Sequence, residues 1–473
     1  MNASALDAEL ARVLVVGLGV SGRAVAERLL SEGRRVRIND LASSGAVAES
    51  ARRFAERGAE VVLGHHEPQV LEGVDLVVVS PGVRSRLPLL AEAESRGIPV
   101  WSEVEFAWRY VRGPVAAVTG TNGKTTTVSM LEAMLRAGGK KALAAGNIGL
   151  PLTEAACRAE EDHILVVEVS SFQLVYVHRF RPHVAVLLNI AEDHFDWHAD
   201  LGEYAEAKSR IWMNQEGDDL ALCSLDYPLC VEVSRSAPAR LAYFSRSPAG
   251  EADVYQQGGT VYSRLGAGSL GGETRPLFRR EDVAIKGEHN LENAMAAAAA
   301  ASYLGVGEEA IREALRAFRG LSHRVQLVGE AGGLRFYDDS KATNPHAALH
   351  ALSAFQEPLL LILGGRNKGL PFDELAQALA ARWEKGALRK VYAVGEAAEE
   401  IAASLARVGP GIPVERLGGL EEVFERLPGD ARPVDVVLLS PACASFDRYR
   451  DYRERGAHFQ ELVKEYARER GDG

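Results

Sequence analysis

The sequence is poor in cysteine and in excess positive charge, and each absence excludes a class of protein. It has four cysteines among 473 residues and no C-x-x-C pair, so we expect no disulfide framework. The formal charge is −11, from 54 Lys and Arg against 65 Asp and Glu. This balance argues against general nucleic-acid binding, which needs a basic face. An anionic small molecule stays possible, because a few local cations and helix N-termini can hold one.

Long apolar runs are also missing, so we expect no membrane partner. The longest run, AMAAAAAASYLGV at 294–306, is alanine-rich and short for a bilayer span. The first residues, MNASALDAELARVLVVGLG, have no basic region before their apolar run, so no secretory signal is expected. We therefore expect a cytoplasmic protein without nucleic-acid or membrane partners. A monomeric state is a separate expectation.

Strands alternate with helical patterns through most of the chain, which predicts an α/β protein with parallel sheets. The length allows roughly three domains of about 150 residues each. We predict an N-terminal Rossmann-like domain at 1–101, a central P-loop ATPase-like domain at 102–320 and a C-terminal Rossmann-like domain at 321–473. Residues 247–281 are rich in glycine and polar residues and predict a hairpin, and GEHNLENAMAAAAAASYLG predicts a helix from near Asn290 to Gly305.

The segment AAVTGTNGKTTTVSM at 116–130 predicts a phosphate-binding loop. A strand breaks into a Gly-rich turn and a helix follows, so backbone N–H groups can bind phosphate oxygens. Lys124 adds a positive charge, and Thr125 offers a hydroxyl group to Mg²⁺. The loop is a short variant of G-x-x-x-x-G-K-[ST], because the first glycine of that pattern would fall at Val118. The alternative is a strand–turn–helix with a surface lysine.

An earlier glycine pattern, GLGVSG at 17–22, fits G-x-G-x-x-G, and Asp40 ends the next strand. On its own this pattern predicts NAD binding, although tight packing alone is an alternative. The SPG turn at 80–82 follows a later strand. Because both turns lie at carboxyl ends of strands, we expect a ligand crevice there.

Acidic residues and histidines follow two further strands. Glu168 ends a buried strand and is a candidate Mg²⁺ ligand, with a salt bridge or a cap as the alternative. In NIAEDHFDWHAD at 189–200, His194 and His198 have helical spacing that could bind zinc, but no third ligand is evident. A solvated acidic turn is the alternative interpretation of this segment. Because a phosphate loop is also predicted, a role for His194 near magnesium is favoured.

Lys208 lies in the predicted helix YAEAKSRIW at 204–212. Most lysines in such a position are surface lysines, and an amine could ligate Mg²⁺ only if it were made anionic.

Taken together, the motifs resemble those of the Mur ligases of peptidoglycan synthesis. They occur in order along nearly the whole chain: GTNGKTT, GNIG, EVSSFQL, AEDH, AKSRI, GEHNLENA, GLSHR, DDSKATN and SPACASFDRYRDYRERG. Within the family, DSKATN and SPACASFD favour the member that joins D-glutamate to UDP-N-acetylmuramoyl-L-alanine, using ATP, through an acyl phosphate.

The resemblance implies a role for each matching residue. The first domain would bind the UDP of the substrate through Gly17, Gly19, Val20, Ser21, Gly22, Asp40, Ser80, Pro81 and Gly82. In the second domain, Asn147 would line the muramoyl site. ATP would be bound by Gly120, Thr121, Asn122, Gly123, Lys124, Thr125, Thr126, Asn290, Asn293, Arg324 and Asp339. D-glutamate would be bound by Lys341, Thr343, Lys368, Ser445 and Tyr452, the last at a position where phenylalanine is expected.

The resemblance also implies the catalytic groups and cofactors. The catalytic residues would be Lys124, His194, Lys208 and Arg324. One or two Mg²⁺ ions would be held by Thr125, Glu168, His194 and Lys208, the last as a carbamate formed with carbon dioxide. Because an acyl phosphate must be kept from water, we expect hinges near 112–114 and 320–324.

Three other functions stay open at this point. A folylpolyglutamate synthetase-like enzyme shares the phosphate loop, but the N-terminal domain with GLGVSG argues against it. A dinucleotide-dependent dehydrogenase would use Gly17 to Gly22 and Asp40. A non-catalytic nucleotide-responsive module would bind ATP without turning it over.

Overall fold

The computed structural model describes residues 12–83, 87–147, 149–193, 197–248 and 250–470. Within these residues, strands alternate with helices and form three separate sheets with mostly parallel neighbours, which confirms the predicted α/β fold. The chain forms two compact units, Met1–Val283 with Glu292–Ala317, and Ala284–Leu291 with Phe318–Gly473. No described helix is both long and apolar enough to cross a bilayer.

The first sheet has its carboxyl strand ends where the glycine turns were predicted. Its elements are β1 (Arg12–Val16), α1 (Val20–Ser31), β2 (Arg35–Asp40), α2 (Gly45–Ala55), β3 (Glu60–Leu63), a 3₁₀ turn (Pro68–Leu71), β4 (Leu76–Val79), α3 (Pro88–Ser95), β5 (Val100–Ser102) and α4 (Glu103–Trp108). The order is β3-β2-β1-β4-β5, all parallel. The direction of strand order reverses between β1 and β4, which is where an open parallel sheet places a crevice.

The second sheet carries the phosphate loop on a central strand. Its elements are β6 (Val115–Thr119), α5 (Lys124–Ala137), β7 (Lys141–Gly146), α6 (Leu152–Arg158), β8 (His163–Glu168), α7 (Ser171–Val175), β9 (Val184–Leu187), α8 (Leu201–Ser209), a 3₁₀ turn (Arg210–Trp212), β10 (Leu220–Ser224), α9 (Pro228–Ser234), β11 (Arg240–Ser245), β12 (Val254–Gln257), β13 (Thr260–Ser263), β14 (Arg275–Arg279) and a 3₁₀ turn (Arg280–Asp282). The order is β14-β13-β12-β11-β10-β9-β6-β8-β7. In this order, neighbouring strands from β12 through β6 to β7 pair in parallel. The β12–β13 and β13–β14 pairs are antiparallel, so the hairpin predicted in 247–281 is present.

Two helices follow, α10 (Glu288–Tyr303) and α11 (Glu308–Ala317). Helix α10 begins at Glu288, two residues before the predicted start near Asn290. Asn290 instead lies in the first turn, where its Nδ2 donates to the carbonyl oxygen of Lys286 at 2.6 Å. The predicted end is correct, because Gly305 follows the helix with a φ of 82°.

The third sheet belongs to the second compact unit. Its elements are β15 (Gln326–Ala331), β16 (Leu334–Asp338), α12 (Pro345–Leu352), β17 (Leu359–Gly364), α13 (Asp373–Glu384), β18 (Leu388–Val394), α14 (Ala398–Val408), β19 (Val414–Leu417), α15 (Leu420–Asp430), β20 (Val436–Leu439) and α16 (Tyr452–Arg470). The order is β15-β16-β20-β17-β18-β19, with only the β15–β16 pair antiparallel among these described strands.

Two buried glutamates of α4 fix the connection between the first and second sheets. Glu103 accepts hydrogen bonds from the N–H of Thr153 at 2.6 Å and from its hydroxyl at 2.7 Å. Burial raises the pKa of Glu103 to about 7, although these bonds pull it downward. Glu105 accepts hydrogen bonds from three consecutive backbone N–H groups, residues 178–180. Helix α4 is therefore anchored to the central domain by carboxylates rather than by apolar contact alone.

Candidate active site

The predicted phosphate loop joins β6 to α5 and is shaped by two glycines. Gly120 has a φ of 155° and Gly123 a φ of 86°, a backbone region that favours glycine. A Cβ atom at Gly123 would lie 2.2 Å from Oδ1 of Asn293, so a side chain cannot be placed there without a shift. The turn therefore brings the start of α5 to the loop in the arrangement that binds phosphate at a helix N-terminus.

Asn189 fixes the loop from the neighbouring strand end. Its backbone oxygen accepts from the N–H of Thr121 at 2.9 Å, and its Oδ1 accepts from the N–H of Asn122 at 2.8 Å. Its Nδ2 donates to the carbonyl oxygen of Asn122 at 3.2 Å. Sequence reasoning assigned no role to Asn189, although it begins the acidic segment that follows β9. The three contacts tie the phosphate loop to the end of β9.

Lys124 and Lys208 meet at the carbonyl oxygen of Gly120. Nζ of Lys124 donates to it at 2.8 Å and Nζ of Lys208 at 2.9 Å. Lys208 is only 1% exposed, so the surface-lysine reading is wrong. Burial, together with the nearby Lys124 charge, lowers the pKa of Lys208 well below its usual range. The site thus favours the uncharged amine form of Lys208.

Tyr204 packs against this amine and was missed by sequence reasoning. Nζ of Lys208 lies 4.3 Å from the centroid of the Tyr204 ring, and the Tyr204 hydroxyl donates to Oγ1 of Thr121 at 3.3 Å. Burial raises the pKa of Tyr204, so the hydroxyl stays protonated. The i, i+4 spacing of the two residues on α8 was the available signal, because that spacing puts both on one helix face.

Glu168 has the surroundings of a metal ligand. It ends β8 and is 2% exposed. Oε1 accepts a hydrogen bond from Nδ2 of Asn147 at 3.3 Å, whereas the buried Oε2 has no hydrogen-bond partner among the described residues. A buried carboxylate oxygen without a partner is unfavourable, and a divalent cation would satisfy it. Oxygen ligands are those that Mg²⁺ prefers, so the chemistry of Glu168 and Thr125 fits this ion.

The two histidines of the acidic segment, whose spacing alone was not enough to predict zinc, have different outcomes. His194 lies outside the described residues, so its role near magnesium stays a prediction. His198 is buried; its Nε2 lies 3.0 Å from Oγ of Ser171, and its ring packs 4.5 Å from Trp197 and 5.1 Å from Tyr204. These contacts give His198 a packing and hydrogen-bonding role.

The UDP-substrate residues predicted in the first two domains gather at one cleft. Its volume is about 1010 Å³, which is enough for a nucleotide sugar. Nine of the ten predicted residues line it, namely Gly17, Gly19, Val20, Ser21, Asp40, Ser80, Pro81, Gly82 and Asn147. The tenth, Gly22, packs beneath the turn, because a Cβ atom there would lie 1.9 Å from the carbonyl oxygen of Gly17.

The walls of this cleft are fixed by backbone hydrogen bonds. Oγ of Ser80 donates to the carbonyl oxygen of Gly17 at 2.7 Å. Oδ2 of Asp40 accepts from the N–H of Leu18 at 2.6 Å, and Oδ1 accepts from the N–H of Ala42 at 2.8 Å. Asp40 therefore holds the turn at 17–22, and Ser80 connects that turn with the one at 80–82.

His66 and Trp197 also line the cleft, and sequence reasoning missed both. Nδ1 of His66 lies 2.5 Å from Oδ1 of Asn39, and burial lowers the pKa of His66. Nε1 of Trp197 donates to the carbonyl oxygen of Val83 at 3.2 Å. Their chain positions are far from the glycine pattern, so no local signal connected them with it.

In the second unit, the DDSKATN segment is held by buried polar contacts. Oδ2 of Asp339 accepts from Oγ of Ser440 at 2.7 Å, and Oδ1 accepts from the N–H of Val325 at 3.2 Å. Burial raises the pKa of Asp339 to about 7, against the pull of the Ser440 hydrogen bond and the nearby Arg324 charge. Asp339 thus anchors the segment that carries Arg324.

The residues predicted for D-glutamate form two pairs and one separate position. Nζ of Lys341 lies 5.5 Å from the centroid of the Tyr452 ring. Nζ of Lys368 lies 3.5 Å from Oγ1 of Thr343. Ser445 is buried in the loop after β20, where its carbonyl oxygen accepts from the N–H of Tyr449.

Arg455 joins the two segments that carry these residues and had been given no role. It is 4% exposed, and its Nη2 donates to the carbonyl oxygens of Ser340 at 2.8 Å and Cys443 at 3.1 Å. Burial lowers the pKa of Arg455 to about 10, so it stays charged at neutral pH. It positions the loops rather than facing solvent.

Comparisons with known proteins agree with this architecture. Residues 11–102 match the Mur ligase MurD-like N-terminal domain, 118–301 the Mur ligase middle domain and 323–443 the Mur ligase glutamate ligase domain. The chain is 39% identical to UDP-N-acetylmuramoylalanine–D-glutamate ligase of Koribacter versatilis over 98% of this chain and 99% of that one. It is 44% identical to the protein of the same name from Frankia casuarinae over 96% and 93%.

A solved structure shares the fold at much lower identity. MurF from Acinetobacter baumannii matches with a TM-score of 0.60 and 18% identity over 97% of this chain and 94% of that one. This likeness concerns the fold alone. With near-complete coverage by relatives of 38–44% identity and with three matching domain models, the chain belongs to the Mur ligase family.

Proposed function

We propose that the chain is an ATP-dependent ligase that joins D-glutamate to UDP-N-acetylmuramoyl-L-alanine through an acyl phosphate. The observation that carries the proposal is the meeting of Lys124 and the buried Lys208 at the Gly120 carbonyl oxygen of the phosphate loop. The choice of amino acid and UDP-linked acid follows the name shared by relatives that cover nearly the whole chain.

The chemistry divides between two bond-forming steps. A carboxylate oxygen of the muramoyl-alanine attacks the γ-phosphorus of ATP, and ADP leaves. The amine of D-glutamate then attacks the acyl carbon, the carbon–oxygen bond to phosphate breaks, and the nitrogen loses a proton. The transition state of the first step spreads negative charge over the γ-phosphoryl oxygens. Loop N–H groups and Lys124 would bind this charge, and Arg324 would add a second cation.

Thr125, Glu168 and Lys208 are the residues that we propose to hold Mg²⁺, with His194 beside them. Lys208 fits a carbamate because its environment favours the uncharged amine, which is the form that adds to carbon dioxide, with loss of one proton. The anionic oxygen so formed would be a hard ligand. When bound, Mg²⁺ would neutralise charge on the phosphate oxygens. Glu168 contributes its unpartnered Oε2 to the same donor set.

The cleft lined by Gly17 and Asp40 is proposed to hold the UDP group, in place of a dinucleotide. Asn147 lines that cleft and also contacts Glu168, so it would connect the sugar-linked substrate with the metal site. The residues around Lys341, Thr343 and Lys368 are proposed for D-glutamate. The domain limits, a cytoplasmic location and a monomeric state stay predictions.

The test is the substrate requirement for ADP formation. Release of ADP should need both D-glutamate and UDP-N-acetylmuramoyl-L-alanine, and other amino acids, including L-glutamate, should give little. ADP release that ignores D-glutamate would contradict the proposal. Folate-dependent ADP formation would favour the folylpolyglutamate synthetase-like alternative, and a saturable change in NADH fluorescence on titration would favour the dehydrogenase.

A further inference from the structure

A second cleft in the N-terminal domain lies at the amino ends of β1, β2 and β3, the edge opposite the Gly17 turn. Its volume is about 360 Å³. Its charged lining residues are five arginines and one glutamate: Arg12, Arg34, Arg35, Arg37, Arg57 and Glu60. The whole chain has a net charge of −11, so this concentration of positive charge opposes the overall balance. Its location separates it from every residue used in the proposed reaction.

The turns that lead into β2 and β3 leave this cleft open. Gly33 has a φ of 71° and Gly58 a φ of 93°, and a Cβ atom on either would meet no atom within 4 Å. Both glycines line the cleft. A ligand can therefore reach the guanidinium groups at the strand ends without displacing a side chain from these turns.

Arg37 forms a fixed cation at the base of the cleft. It is 8% exposed, and its Nη1 donates to the carbonyl oxygens of Val70 at 2.7 Å and Glu72 at 3.0 Å. Its Nη2 lies 2.9 Å from a carboxylate oxygen of Glu60, and its buried Nε has no hydrogen-bond partner among the described residues. A buried charge needs an anionic partner, and here that partner is a carboxylate whose side chain is 56% exposed.

Neighbouring acids neutralise only part of the charge. Arg57 forms two hydrogen bonds with Glu27, and Arg37 is paired with Glu60. Among the described residues, the Arg12 and Arg35 side chains form no ion pair with a carboxylate. The remaining positive charge lies on the open side, where Arg35 is exposed.

We propose that this arginine cleft binds a phosphate-bearing anion with two or more negative charges. Its oxygens would replace the Glu60 carboxylate at Arg37 and reach Arg12 and Arg35. Planar guanidinium groups match phosphate oxygens with paired hydrogen bonds, and a ligand of higher charge than Glu60 would compete with it. The phosphate can belong to a soluble metabolite or to a lipid headgroup, since the contacts are the same.

Inorganic pyrophosphate is the probe for the soluble source. Titration calorimetry uses the full chain with UDP and a non-hydrolysable ATP analogue present, so that the two proposed nucleotide sites are filled. The variant with Arg12→Ala and Arg35→Ala should weaken pyrophosphate binding at least about tenfold, because two charge-assisted contacts are lost. Glu60→Gln should strengthen it, because the internal competitor loses its charge. Affinity should fall as salt rises.

Arg450→Ala is the matched control, because Arg450 is an 89% exposed arginine paired with Glu454 in the other unit. It should bind pyrophosphate as the wild type does. Phosphatidylcholine vesicles with and without phosphatidic acid, whose phosphomonoester headgroup can carry two negative charges, test the lipid source with the same variants. The site is supported if the double variant loses affinity for pyrophosphate or for the anionic vesicles and Glu60→Gln gains affinity for the same probe. The probe that responds shows whether the ligand is a soluble phosphate or a lipid headgroup.

The proposal is overturned if wild type, double variant and Arg450→Ala bind both probes equally. It is also overturned if Glu60→Gln weakens binding, because Glu60 would then be part of the ligand contact rather than its competitor. If the double variant fails to fold, Arg35→Ala alone replaces it, because Arg35 is exposed. This single variant should also weaken binding of the probe relative to the wild type. Proposed ligase activity should stay unchanged in Arg35→Ala, so failure of one proposal leaves the other intact.

Discussion

Replacing Gly123 with alanine tests whether the phosphate loop needs glycine for backbone conformation, for space, or for both. The residue has a φ of 86°, where a side chain costs about 1–2 kcal/mol. The added Cβ would also lie 2.2 Å from Oδ1 of Asn293 and 3.1 Å from Cδ1 of Leu188. Overpacking of this kind costs roughly 1–3 kcal/mol. We expect Gly123→Ala to reduce the free energy of unfolding by about 2–5 kcal/mol in total.

Gly139→Ala separates the two contributions. Gly139 follows the other end of α5 with a φ of 74°, and a Cβ atom there would meet nothing within 4 Å. It should therefore lose only about 1–2 kcal/mol from backbone conformation. The difference between the two alanine variants measures the contact with Asn293.

Asn293→Ala in the Gly123→Ala background gives a direct check. Because it removes the atoms nearest the new Cβ, the double variant should recover about 1–3 kcal/mol of coupling relative to the sum of the single changes. Equilibrium urea unfolding and MgATP binding by calorimetry are measured for all variants. The reasoning is refuted if the Gly123 and Gly139 variants lose equal stability, or if the double variant shows no coupling.

The remaining predictions concern three buried groups. Lys208→Ala should reduce ADP formation at least about a hundredfold by removing a proposed metal ligand, and added acetate should restore part of it; full activity would refute the role. Glu168→Gln keeps the side-chain shape and loses the charge, so the Mg²⁺ concentration for half-maximal activity should rise about tenfold or more; no rise would contradict a metal role. Glu103 has a pKa of about 7 in the fold against 4.5 unperturbed, so its contribution to stability is full below pH 4.5 and lost as pH rises through 7. In the wild type, the free energy of unfolding should fall by on the order of 3 kcal/mol between pH 4.5 and 7 because of this group. Glu103→Gln should remove that fall, as measured by urea unfolding at pH values across this range. The same dependence of stability on pH in the variant and the wild type would contradict the prediction.

The features that could be predicted from sequence are local along the chain. The strand, glycines, lysine and helix of the phosphate loop are contiguous from Val115 to Ala137, so their order indicates their geometry. The hairpin was likewise predicted from the local glycine and polar content of 247–281, and its β12–β13 turn contains Gly258 and Gly259, both with positive φ. Alternation of buried strands with helices was enough to predict parallel sheets.

The features that could not be predicted depend on contacts between distant segments. Lys208 contacts Gly120, 88 residues away, so its helical pattern did not show that it is buried, and only the family resemblance gave it a role. Asn189 and Asn122 are 67 residues apart. Glu103 is buried only because α4 packs against the segment of Thr153. The hydrophobic period of a local sequence indicates whether it forms a helix or a strand. It does not indicate which distant segment packs against which face of that helix or strand.

The helix start near Asn290 was misplaced for a related reason. Asparagine is a favourable N-cap residue, which drew the predicted start to it. In the structure the helix starts earlier, and the Asn290 side chain donates back to Lys286. An asparagine side chain can bond with the backbone on either side of a helix start, so residue type alone left two positions possible.

The measurement that tests the central claim most directly follows an oxygen atom. UDP-N-acetylmuramoyl-L-alanine labelled with ¹⁸O in its carboxylate is incubated with ATP, Mg²⁺ and D-glutamate, and the released phosphate is analysed by mass spectrometry. If the loop at Gly120 to Thr125 directs the γ-phosphoryl group onto the carboxylate, the phosphate should carry one labelled oxygen. Phosphate without the label, released while the amide forms, would contradict the account.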